Sequence, residues 1–408
     1  LCTSNLPDPA IDPATDDLPE DFFKAVTWQG NGTTNTQIDT DGVGTGTGFK
    51  PDLIWYKNRD YGHDHGISDS VRGPNFRLYP SYPNSDITAP NNIQSFEPNG
   101  FKIGSENGIN NSAYNYIGWA WKAGGSPSGS NIYMKDGTGY TNSTSDKATV
   151  FGSASNYTIT PTSASIGTKQ GFSIVEWTGN GASLANNTYQ SIPTGLSGTL
   201  AFAIQKRTNT TGNWHTYHKN CSVSHTYWSA HLYLNHTYAE QNGSGYDSQV
   251  FKYTHSNGLC QFQNADLNNV SGDKYISYFF EEVENYSKFG SYTGNGSADG
   301  PFVYTGFKPA FVMIKNTTIT STFSSWVIYD NARTPNNPTA EPLHANSSVE
   351  EGKRTTGTSF SVADSSLDFL SNGFKPRTVY LELNSSNDTF VYMAFSEMPF
   401  KYSATNAR

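Results

Sequence analysis

Charge is scarce in this chain. Asp, Glu, Lys and Arg make up 15% of its 408 residues, against about a quarter in ordinary globular domains. Coiled coils and long-helix proteins need Ala, Glu, Lys, Leu and Arg in bulk, so that class is excluded. The balance is acidic, -9 at neutral pH, and the lysines and arginines occur singly rather than in runs. A nucleic-acid binder would carry a basic patch or stripe, so no nucleic-acid partner is expected. Cysteine is scarcer still: Cys2, Cys221 and Cys260 are odd in number and too few for a disulfide framework. Cys221 and Cys260 are read as buried thiols rather than a bridge. No apolar run approaches the ~18 residues of a membrane span, so no membrane insertion is expected.

What fills the space is uncharged and aromatic. Gly (38), Tyr (25), Phe (24) and Trp (8) are abundant beside many Asn, Ser and Thr. Aromatic side chains at this frequency bury large areas, which argues against disorder. The bulk reading is an all-β, turn-rich protein.

Three blocks recur in fixed order. The first is an aromatic residue followed by x-Gly-Asn-Gly: Trp28 to Gly32, Trp177 to Gly181 and Tyr292 to Gly296. Gly and Asn tolerate positive φ, so each reads as a strand running into a tight turn. The second is a buried strand, introduced by Pro51 in Gly48-Phe49-Lys50-Pro51-Asp52-Leu53-Ile54-Trp55-Tyr56-Lys57-Asn58 and by Pro309 in the nearly identical run from Gly306 to Asn316. Leu200 to Lys206 is the divergent middle copy. The third is an Asn-Gly turn (Asn99-Gly100, Asn257-Gly258, Asn372-Gly373) ahead of a closing strand of alternating pattern.

These blocks predict three tandem β-sandwich units of jelly-roll, concanavalin-like type, at 20–124, 170–288 and 289–408. Residues 1–19, with four prolines among acidic residues, are expected to form an extended connector from an upstream domain. The Gly-, Ser- and Thr-rich stretch 125–169 is expected to be a linker or a small hairpin region. No linker separates the second unit from the third at Tyr286 to Phe289, so those two are expected to pack rigidly. Low charge and dense turns suggest a rigid rod.

The string Phe49 to Trp55, with Asp69-Ser70-Val71-Arg72-Gly73, Trp119 to Gly125, Tyr286 to Gly296 and the ending Pro399 to Arg408, resembles a family of repeated lectin-like domains in virion structural and tail-fibre proteins of tailed phages, marine and cyanobacterial ones especially. The resemblance covers nearly all of the chain outside 125–169. It implies a virion-surface, extracellular, non-enzymatic structural protein that assembles with other virion proteins as a homotrimer and contacts a host-surface glycan or receptor. It carries no catalytic residue and no cofactor. The rival readings are a capsid-attached decoration fibre without a receptor role and a secreted glycan-active enzyme.

Candidate chemistry is thin. His215, His218, His225, His231, His236 and His255 crowd around Cys221 and Cys260. His215-x-x-His218 lies on an apparent strand, however, where positions three apart face opposite ways, so no metal site is expected. Asp69-x-x-Arg72 recurs as Asp330-x-x-Arg333, with His218 and Cys221 at the same place in the middle unit. A pair at a strand end that recurs in this way reads as structural. Asp39-x-Asp41-Gly42 starts like a calcium loop, but the next residues break the pattern. Sugars stack on aromatic rings and take hydrogen bonds from neighbouring polar groups. On that ground Trp228, Tyr227, Tyr233 and His231 are the expected glycan contacts.

Overall fold

The computed structural model describes residues 10–11, 17–41, 48–182, 189–225, 228–241, 250–252, 255, 257–262, 268–354, 357–359 and 364–396. Strands dominate them, nearly all in antiparallel sheets, and the fold is all-β. No helix is long and apolar enough to cross a membrane.

The first repeat forms β1 (Phe23–Gln29), β2 (Thr36–Asp39), β3 (Leu53–Asn58), β4 (Gly66–Asp69), β5 (Gly73–Leu78), β6 (Ile87–Thr88), β7 (Ile93–Glu97), β8 (Gly100–Ile103) and β9 (Asn115–Trp121). A large sheet, β1-β9-β3-β4-β5-β6, packs on a small one, β2-β8-β7. The chain then makes β10 (Tyr133–Lys135), β11 (Thr138–Tyr140), a helix at Thr144–Phe151 capped by the Ser143 hydroxyl, and β12 (Ser163–Gly167).

The second repeat holds β13 (Phe172–Thr178), β14 (Gln190–Pro193), β15 (Leu200–Arg207), β16 (His215–His218), β17 (Val223–His225), β18 (Trp228–Ser229), β19 (Leu232–Tyr233), β20 (Phe251–Lys252), β21 (Leu259–Phe262) and β22 (Lys274–Glu281). Its large sheet runs β11-β10-β12-β13-β22-β15-β16-β19. The stretch after the first repeat is therefore built into the second unit's sheet, where β12 pairs with β13 from Ser163↔Glu176 to Gly167↔Phe172. The third repeat has β23 (Ser287–Thr293), β24 (Val303–Tyr304), β25 (Phe311–Asn316), β26 (Trp326–Asp330), β27 (Leu343–His344), β28 (Leu367–Leu370), β29 (Gly373–Pro376) and β30 (Thr389–Phe395). Here β23-β30-β25-β26-β27 packs on β24-β29-β28.

Each large sheet is buried on both faces, which is why β3 and β25 are buried at every position. In β3, Ile54 and Tyr56 face the unit's own small sheet together with Phe101 and Ile103. Leu53 and Trp55 face the other way, into a core shared with Phe202, Ile204 and Trp214 of the second unit and Phe311, Met313 and Trp326 of the third. The three units are thus not strung along a rod. They pack around one central core because each large sheet has a second apolar face that only the other two units can cover.

The seams between units repeat around this core. Tyr278 of the second unit donates to Asp69 of the first at 2.8 Å. Trp119 of the first donates to Asp330 of the third at 3.1 Å. His218 of the second donates through Nε2 to the Tyr392 carbonyl of the third at 3.0 Å. All three bonds join the end of an inner strand (β4, β16 or β26) to the closing strand of another unit. Each unit meets two different neighbours through different surfaces, and the head-to-tail contacts close into a ring of three.

Candidate functional site

The residues that recur in the sequence are used up by the scaffold. The first aromatic of each repeat stacks on the closing strand: Trp28 on Tyr116 at 5.6 Å, Trp177 on Tyr275 at 4.4 Å, Tyr292 on Phe390 at 5.0 Å. The Gly-Asn-Gly turn that follows is clasped by a buried asparagine. Asn110 Oδ1 accepts Asn31 N–H at 2.8 Å, its carbonyl accepts Gly32 N–H at 2.7 Å, and its amide donates to Asn31 Oδ1 at 3.1 Å. Asn269 makes the same bonds to Asn180 and Gly181, and Asn384 to Asn295 and Gly296.

Asp69–Arg72 and Asp330–Arg333 are buried ion pairs at 2.6 and 2.7 Å; Asp69 also accepts the N–H groups of Val71 and Arg72, and Asp330 that of Arg333. Lys57, Lys206 and Lys315 end the inner faces of β3, β15 and β25. Their ammonium groups donate to carbonyls, and two of them cross a seam: Lys206 reaches Pro83 of the first unit at 3.3 Å and Lys315 reaches Thr237 of the second at 3.4 Å. Burial pulls all three down to about 7. Trp214 and Trp326 cross the same seams, Trp214 Nε1 donating to the Tyr79 and Tyr82 carbonyls and Trp326 Nε1 to that of Tyr233. At the remaining seam Arg59 of the first unit pairs with Glu351 of the third through Nε and, at 3.1 Å, through Nη2.

Of the expected glycan contacts, His231 and Tyr233 lie together, their rings 5.0 Å apart. His231 is fully buried, which takes it off the surface. Its ring lies 5.6 Å from that of His215, and burial pulls its pKa down to about 3. His231 sits just before β19, where its backbone bonds to that of Gln241 and its ring lies beside those of His215 and Tyr233. Tyr233 is half-buried, with its carbonyl bound at the seam to Trp326. Trp228 lies on β18 with its side chain outside the described structure, and Tyr227 lies outside the described residues. Cys221 and Cys260 are buried and unbridged, and burial pushes both thiols up. Among the described residues no three His, Cys, Asp or Glu side chains gather as metal ligands would.

A different surface stands out on the first unit, in the loops after β3 and β5. Tyr61 is 51% exposed and Tyr82 44%. Tyr61 stacks on Tyr114 at 5.5 Å and lies 5.1 Å from His63. Asp64 accepts the Ser81 hydroxyl at 2.9 Å. Partial burial raises the Asp64 carboxyl and lowers His63, and the Asp64 charge raises the Tyr82 hydroxyl. These residues follow directly on the quoted block ending at Asn58. The available signal was their failure to recur: counting from the matched lysines, Tyr61 corresponds to Thr210 and Ile319.

A family model described as "Domain of unknown function (DUF7483)" matches residues 18–168 and 147–399. No curated protein and no solved structure matches the chain.

Proposed function

We propose that this chain, which belongs to the family of that domain of unknown function, is a structural display module of a phage virion. In this reading it is a segment of a tail fibre or similar appendage, assembled with other virion proteins at the particle surface, without enzymatic activity and without a cofactor. Its loops meet the host surface, where glycans or another receptor are the partners.

The observation that carries the reading is the division of labour among its side chains. Many of those that recur are spent on clasps, cores and seams that build the body of the molecule. Tyr61 and Tyr82, outside the recurring blocks, lie exposed in loops, where variable recognition belongs. The ring also supplies within one chain the threefold arrangement that the resemblance takes from a homotrimer.

Antibody labelling of intact particles, viewed by electron microscopy, tests the proposal. Label on the tail appendages is expected. Label over the capsid would favour the decoration reading, and particles without label would overturn both. Depolymerisation of a host polysaccharide, lost on changing one acidic pair, would favour the enzyme.

A further inference from the structure

We infer that the loops after β3 and β5 of the first unit form a shallow binding site for uncharged pyranose sugars, with Tyr61 and Tyr82 as its aromatic platforms and Asp64, Ser81 and His63 as its hydrogen-bonding floor. The inference deepens the display reading and rests on it for the ligand's source, though the site itself is built from local geometry.

The two tyrosines are held out by hydrogen bonds to their backbones and by ring contacts. Asn58 Oδ1 accepts the N–H groups of Asp60 and Tyr61 at 3.0 and 2.9 Å, and Lys57 Nζ donates to the Tyr61 carbonyl at 3.3 Å. The Tyr61 ring is braced from behind by Tyr114, their planes 20° apart. Across the patch, Trp214 Nε1 holds the Tyr82 carbonyl at 3.0 Å, and the Tyr82 ring leans on Tyr79 at 6.4 Å. Preset rings of this kind lose little entropy when a ligand arrives. The third unit repeats the Asn58 turn, with Asn316 Oδ1 accepting Thr318 and Ile319 N–H, yet carries Ile319 where the first unit has Tyr61. The turn is therefore scaffold, and the ring upon it is an addition.

Asp64 and Ser81 are joined at 2.9 Å, and the Asp64 charge acts on Lys57, His63 and Tyr82. The floor thus offers carboxylate, hydroxyl and imidazole groups beside two rings. The axial C–H groups of a pyranose pack on an aromatic face, and its hydroxyls pair with a carboxylate and its neighbours. The charge balance selects among sugars. Asp60 and Asp64 are the carboxylates of the patch, the Lys57 amine is buried beneath it, and Arg77 is engaged by Glu106 at 2.5 Å. Uronates and other acidic sugars would meet like charge, so the fitting class is neutral.

Calorimetric titration of the whole chain with cellohexaose, maltohexaose, xylohexaose and chitohexaose tests this, with hexagalacturonate as the acidic comparison. At least one neutral hexaose is expected to bind, and Tyr61→Ala and Asp64→Asn to weaken it about tenfold each. Tyr304→Ala, at an exposed ring on the third unit, should leave affinity unchanged, and Tyr61→Phe should restore most of it. All four variants should melt with the parent. Absence of binding to every neutral hexaose at millimolar concentration, binding indifferent to Tyr61→Ala, or preference for hexagalacturonate would each overturn the inference. Particle labelling is independent of these readouts, so failure here with labelled appendages sinks the sugar site alone, whereas unlabelled particles sink the display reading alone.

Discussion

Asparagine shows how little a residue's type says about its work. Asn110, Asn269 and Asn384 are wholly buried, each six residues before the aromatic that opens the closing strand's stack, and each satisfies two backbone N–H groups of a turn about 80 residues or more away. Asn384 also donates to the Ser297 and Thr378 carbonyls. Asn384→Ala keeps the backbone carbonyl's bond to Gly296 but removes the side chain's bonds to Asn295 N–H and to the Ser297 and buried Thr378 carbonyls, and should cost about 2–3 kcal/mol, read as a lower midpoint in urea with an unchanged slope. The buried histidines make the second prediction. Burial lowers His218 to about 4, His231 and His255 to about 3, and His215 as well. An unfolded histidine titrates near ~6.5, so between there and about 3 the unfolded chain binds more protons than the folded one. Their contribution is complete above that unfolded value and is lost as pH falls toward the folded ones. Melting temperature should therefore decline steadily from pH 6.5 to 4, and His231→Phe should flatten that decline.

At the scale of elements, strands and turns were legible because period-two patterning and Gly-Asn-Gly turns are local properties. The reason for a glycine was less legible. Asn257-Gly258 does adopt the positive φ pair of a tight turn, 59° and 66°. Gly100 and Gly373 do not, and what they share with Gly258 is crowding. A Cβ would lie 2.0 Å from the Ile38 carbonyl oxygen at Gly100, and 2.1 Å from those of Val303 and Leu196 at the other two. The contact crosses to a strand or loop far away in sequence, so no local pattern reveals it. Gly100→Ala must push β8 off β2 and should cost about 3 kcal/mol. Gly129→Ala, with open space around its Cβ and φ 59°, should cost only about 1 kcal/mol. The contrast between the two melting temperatures checks the account.

At the scale of the molecule, the three repeats share one core. Phe23, Trp121 and Phe311 lie in ring contact with Phe395, which also meets Phe280 and Phe289, so all three units converge on a single aromatic side chain. Removing one unit would bare the inner sheet faces of the others. The whole chain should therefore unfold in one calorimetric transition, its van't Hoff and calorimetric enthalpies agreeing. Separate transitions for separate units would contradict the shared core.

Composition and the recurring blocks by themselves determined an all-β chain of repeated units, because strand period, turn chemistry and self-similarity are written within a few residues of one another. The ring, the asparagine clasps and the seam lysines were decided only by tertiary structure. A mixed apolar run such as Leu53 to Asn58 says that both faces of a strand are covered, but not by what. The histidine-rich loop shows the same limit, since His231 looks exposed by its polar neighbours and is buried beside the His215 and Tyr233 rings. Tyr61 is the reverse case: an ordinary aromatic beside a core strand, which only the folded turn turns outward.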